Sequence, residues 1–283
     1  MKRITRIVVL TLLVLATAYV CLHCWQRIRI WRFFQRSPDI VARIKIGPSN
    51  LDLSTITLTN MITYNIGYAE FALPSSCAVS LCSYDGTCII GKSEAFEFSF
   101  MVPVNILATN SLIHSLRSSL AKLPANHPLM REMSDSKMTD LDFSMRAEKL
   151  TTLPTLWQLM LLDRASFADT FMRYLSKGFF PYGCDGISFY MAKETRGLVR
   201  MGQSDCHASA HVEIEDRMRK RKAIFMIKMH DQDESNVMPL LLPFLKSFHC
   251  LGEDIPPRES LAEAIRSAGI EPQPDDVKSE DNQ

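Results

Sequence analysis

His207 and His211 stand four residues apart. On a helix that offset puts both imidazoles on one face, where they could share a metal ion. The residues around them alternate instead. Cys206, Ala208, Ala210, Val212 and Ile214 are apolar, while His207, Ser209, His211, Glu213 and Glu215 are polar. A period of two belongs to a strand with one face on a core and the other in water. Four residues along a strand cover about 13 Å, too far for two imidazoles to hold one ion. The pair therefore reads as part of an exposed polar face. The same alternation sends Cys206 and His207 to opposite faces, which opposes a thiol–imidazole nucleophile.

Cys184 precedes the turn dipeptide Asp185-Gly186 and is the candidate for a reactive thiol. Such chemistry requires a thiolate stabilised in an electropositive, accessible setting. The chain has eight cysteines. Cys21 and Cys24 lie in an apolar N-terminal run; the others are Cys77, Cys82, Cys88, Cys184, Cys206 and Cys250. Three states are open to them: small buried hydrophobes, disulfides in an oxidising compartment, or redox and metal chemistry. Beyond residue 24 there is no C-x-x-C, and His207 and His211, the pair at a metal-like offset, fall on a strand-like run, so no metal is expected. G-x-S-x-G, G-x-x-x-x-G-K-[ST] and G-x-G-x-x-G are absent. No catalytic residue, cofactor or small-molecule ligand is therefore assigned.

Two basic segments, 27–36 and 217–222, are the candidates for contact with anionic lipid. Arg27, Arg29 and Arg32 represent the first, and Arg219, Lys220 and Arg221 the second. The second also fits a solvated hairpin tip, since it falls between two strand-like runs. The net charge is +1, too small for a field that would gather nucleic acid, and no nucleic-acid partner is expected.

The apolar run that precedes these arginines spans residues 7–24 and carries no acidic residue, Lys or Arg. Its length is near the minimum for crossing a bilayer core. Ala16-Thr17-Ala18 fits a signal-peptide cleavage site. Retention as a signal-anchor is favoured by apolar residues beyond Ala18 and by Trp25, Trp31, Phe33 and Phe34 at the expected aromatic belt. The arginines that follow also resist translocation. Lys2, Arg3 and Arg6 on one flank nearly balance Arg27, Arg29, Arg32 and Arg36 on the other, so the positive-inside rule assigns no side to the main domain.

Strand periodicity marks residues 51–58, 68–73, 78–83, 87–90 and 96–100, then 186–191, 198–202, 206–214 and 223–229. Asp85-Gly86 predicts a two-residue hairpin with Cys88 opposite Ser83. Helical spacing marks residues 112–120, 154–162 and 167–177. Residues 237–249 read as a helix that Pro243 should kink or break. Residues 124–148 read as a loop or a short exposed helix. The organisation is a basic tail (1–6), a transmembrane anchor (7–25), a basic, aromatic juxtamembrane segment and linker (26–48) and one α+β domain (49–252). A short helix (253–270) and an acidic, disordered tail (271–283) follow.

Strands, helices and strands in this order predict an α+β fold in which an antiparallel sheet carries helices on one face. The element order resembles that of Mog1/PsbP-type α/β sandwiches. The resemblance is one of architecture and assigns no residue a role. The chain thus reads as a single-pass membrane protein whose α+β domain is structural or binds a partner, the bilayer being contacted through residues 7–25. A membrane-tethered enzyme using Cys184 and a lipid-surface or assembly adaptor are the alternatives. A protein is the remaining partner class.

Overall fold

The computed structural model describes residues 2–65, 69–75, 80–83, 88–92, 95–105, 139–163, 167, 170–174, 177, 185–203, 207–219, 221–230 and 237–251. The expected helices at 112–120 and 253–270, the tail at 271–283, Cys184 and Lys220 lie outside them.

Helix α1 runs unbroken from Lys2 to Arg36, 35 residues and about 52 Å at 1.5 Å per residue. Its stretch from Val9 onward is long and apolar enough to cross a membrane. Residues 9–22 are exposed on every side. The helix does not end where the apolar run ends. Arg27 and Phe34 are buried against the domain. A second helix, α2 (Pro38–Ile44), follows at once with Pro38 in its first turn and Ile40 and Ile44 buried. The stretch expected as a linker is therefore mostly helical. Prolines are tolerated at a helix start because the first N–H groups lack partners in any case. Phe34, Ile40, Ile44 and Tyr174 form a small core of their own.

The strands are β1 (Ser49–Leu51), β2 (Met61–Asn65), β3 (Ala69–Pro74), β4 (Ser80–Ser83), β5 (Cys88–Lys92), β6 (Phe96–Asn105), β7 (Gly186–Met191), β8 (Thr195–Gln203), β9 (Ala208–Asp216), β10 (Arg221–Met229) and β11 (His249–Cys250). Eight form one sheet in the order β1-β7-β8-β9-β10-β6-β5-β4, and three form a second in the order β11-β3-β2. The larger sheet is antiparallel except at its edge, where β1 runs parallel to β7. Of the strand expected over 51–58 only Leu51 lies in β1. Asp52 ends it by accepting the Ser54 N–H at 2.8 Å, a local turn that competes with the ladder. In the β4–β5 hairpin Ser83 pairs with Ile89. Cys82 pairs with Ile90, one residue away from the expected register, and the expected turn at Asp85-Gly86 lies outside the described residues.

The first face of the large sheet carries Phe96, Phe98, Phe100, Ala210, Val212, Ile214, Phe225 and Ile227. It is covered by the small sheet and by helix α5 (Val237–Ser247). Phe244 stacks on Phe225 with ring centroids 3.9 Å apart. Pro243 lies inside α5 without ending it. The Ser247 hydroxyl donates to the Pro243 carbonyl at 2.8 Å, and burial of Leu241, Phe244 and Leu245 holds the turn on either side of the proline. The second face is covered by helix α3 (Asp140–Glu148). Helices therefore pack on both faces of the sheet rather than one. A short helix α4 (Leu156–Leu161) leads back to α1.

Candidate functional site

The polar side of β8 and β9 carries α3 and is buried or half-buried. Leu198, from β8, and Ile187 and Phe189, from β7, pack there with Leu141 of α3. Beside them lies an ionic layer. Arg200 is 4% exposed; its Nε donates to Glu148 at 2.7 Å and its Nη1 donates to Glu213. Arg196 Nη2 meets Glu215 at 2.8 Å and Asp142 at 3.0 Å. Thr139 caps α3, and its side chain also donates to Glu215 at 2.7 Å. Burial opposes the Arg200 charge, but Glu213 and Glu148 outweigh it and raise its pKa. The carboxylates are engaged in pairing the two arginines across sheet and helix. This arrangement holds α3 in register with the sheet.

His211 belongs to this layer, so its expected place on an exposed face is corrected. Burial pushes its pKa down to about 4, with Glu213 and Arg200 acting in opposite senses, and the imidazole is neutral at neutral pH. His207 precedes β9 and is half-exposed. Among the described residues no group of three His, Cys, Asp or Glu side chains could hold a metal ion.

The second basic segment forms the β9–β10 turn, residues 217–219. Asp216 accepts the N–H groups of Met218 and Arg219 at 2.9 and 2.8 Å, the side-chain-to-backbone pattern of an Asx-type turn. Arg219 pairs with Glu194 at 2.8 Å and Asp216 at 3.2 Å. Arg221 is 2% exposed and donates to the Leu251 carbonyl at 3.0 Å. A guanidinium so buried does not reach a bilayer surface. Cys250 is close by; burial, then the Asp216 carboxylate, pushes its thiol up to about 12. That is the reverse of what a nucleophilic cysteine needs.

The first basic segment divides in two. Arg29 and Arg32 are exposed along α1. Arg27 turns inward and donates through Nη1 to the carbonyls of Leu159 and Met160 at 2.6 and 2.7 Å. These are among the last carbonyls of α4, which have no partner within their own helix. The guanidinium also lies 4.9 Å from the centroid of the Phe167 ring. A cation at a helix C-terminus is favoured by the helix dipole as well. Arg27 thus joins the apolar helix to the domain. No local pattern signals this contact, since the partners are 132 and 133 residues away.

Lys177 does comparable work beneath the junction. Its fully buried ammonium donates to the carbonyls of Ile46, Glu148 and Leu150 at 2.6, 2.8 and 2.6 Å. The end of α3 and the segment after α2 are thereby tied to one point. The exit of the apolar helix, its cap on α4 and the packing under it form the best-built site among the described residues. Its chemistry is that of positioning.

No family model, no curated protein and no solved structure matches the chain, so no family is assigned to it and the Mog1/PsbP resemblance gains no support.

Proposed function

We propose that the chain is a single-pass membrane-anchored protein whose α+β domain has a non-catalytic structural or binding role beside the bilayer. One observation carries this reading: α1 continues without a break from a wholly exposed apolar stretch into buried contacts with the domain. An apolar helix buried in a soluble core would be covered by its own chain, and residues 9–22 are not. The continuity also favours retention over cleavage, because Ala18 lies in mid-helix. Arg29 and Arg32, exposed just past the apolar run, are positioned for lipid phosphates.

Alkaline carbonate extraction, with intact-mass measurement of the membrane-bound chain, tests the reading. The expected result is a chain that stays in the membrane pellet and retains residues 2–18. A soluble chain beginning at Tyr19 would overturn it.

A further inference from the structure

Helix α4 leaves two large apolar side chains uncovered. Trp157 and Leu161 are 71% and 68% exposed. Four residues apart, they share one face of the helix. Leu159, on the other side, is buried. No residue of α4 is charged.

The position of this face is set by Arg27. The apolar run ends at Cys24, and Arg27 lies about 4.5 Å further along the axis at 1.5 Å per residue. Its side chain holds the carbonyls of Leu159 and Met160. The headgroup layer on each side of a bilayer core is roughly 5–7 Å thick. If α1 crosses the membrane, the C-terminal end of α4 therefore stands at headgroup depth. Helix α4 has six residues, so Trp157 is at most about 6 Å of helix rise from Leu161, whatever the tilt. Tryptophan is the side chain most suited to that depth, with an apolar ring and a polar N–H. On α1, within two turns of Arg27, Val20, Leu22 and Trp25 are also exposed, at 57%, 58% and 53%.

We infer that α4 is an interfacial helix: Trp157 and Leu161 enter the leaflet in which α1 ends and give the domain a second contact with lipid. The inference rests on the reading of α1 as a membrane anchor. Two contacts joined by a buried arginine fix how the domain stands on the bilayer, where one flexible tether would leave it free to rotate. The contact is apolar. It needs no anionic lipid and does not weaken with salt.

The chain has three tryptophans, Trp25, Trp31 and Trp157. Two variants of the full chain, each keeping one of them, separate the anchor from the interfacial helix. W25F/W31F retains Trp157, and W31F/W157F retains Trp25. Each is reconstituted in zwitterionic phosphatidylcholine vesicles, with and without lipid brominated near the headgroup. Trp157 emission is expected to be blue-shifted, quenched by the brominated lipid and shielded from aqueous iodide, at low and at high salt. Leu161→Asp, at an exposed position that the fold tolerates, is expected to reduce that quenching. If Trp25 is quenched by brominated lipid and Trp157 is not, the interfacial helix is refuted and the anchor stands. Shielding of Trp157 from iodide without bromine quenching would mean that protein covers it, which also refutes the inference. If neither tryptophan is quenched, the anchor reading fails and takes the inference with it.

Discussion

At the scale of single residues, the outcome turned on which polar groups lost their water. His211 has the alternation of an exposed position, yet it pairs with Arg200 across the strands and is half-buried. Its pKa is held down at about 4, against an ordinary 6.5, chiefly by burial. As pH falls, the unfolded chain binds this proton before the native state does. The stability contributed by neutral His211 is therefore complete above pH 6.5 and is lost between pH 6.5 and about 4. The loss amounts to about 3 kcal/mol at most. His211→Gln should remove that part of the acid sensitivity. Denaturant titrations of both full chains in micelles at pH 7 and pH 4 measure it, and an equal acid loss in the two proteins would refute the assignment. Arg200 shows the same burial with the opposite remedy. It stays charged because Glu148 and Glu213 meet it.

At the scale of elements, two helices begin with the same device and differ in what surrounds it. Thr139 with Asp142 and Thr155 with Gln158 each form a capping box. Thr139 also donates to the buried Glu215, while the Thr155 box is exposed. Thr139→Ala should cost about 1–2 kcal/mol, near the upper end for a lost cap, and Thr155→Ala clearly less. Unfolding midpoints of the two variants check the order, and equal costs would count against the Thr139–Glu215 tie. Elements of this kind were partly legible. Phe96, Phe98 and Phe100 announced β6, Ala208 to Ile214 announced β9, and Pro154 announced α4 within two residues. The β2 strand, Met61–Asn65, passed unread because it is mostly exposed and lacks clean alternation. The α3 helix falls in the stretch that reads as a loop or a short exposed helix, because its buried side chains are interleaved with charges that pair with the sheet.

At the scale of the whole molecule, the apolar helix and the domain are one piece. The last third of α1 places Arg27 and Phe34 inside the domain. A chain beginning at Trp25 should therefore remain folded and soluble in water. A chain beginning at Ser37 should lose the burial of Phe34, worth about 1.5–3 kcal/mol, together with the cap on α4. Thermal unfolding followed by circular dichroism compares them; identical melting would show that residues 25–36 are not part of the folded unit. The sequence by itself determined the apolar N-terminal run, the periods of most strands and the turn after Asp216. Each depends on neighbours in the chain, and local sterics and amphipathicity write those into the order of residues. Only the tertiary structure decided that Arg27 caps α4, that β1 pairs with β7 and that α3 buries the polar face of β9. Those contacts join residues that lie far apart in sequence, as Ser49 and Ser188 do across 139 positions. Their energies exist only once both partners have left water together, and no local pattern records that event.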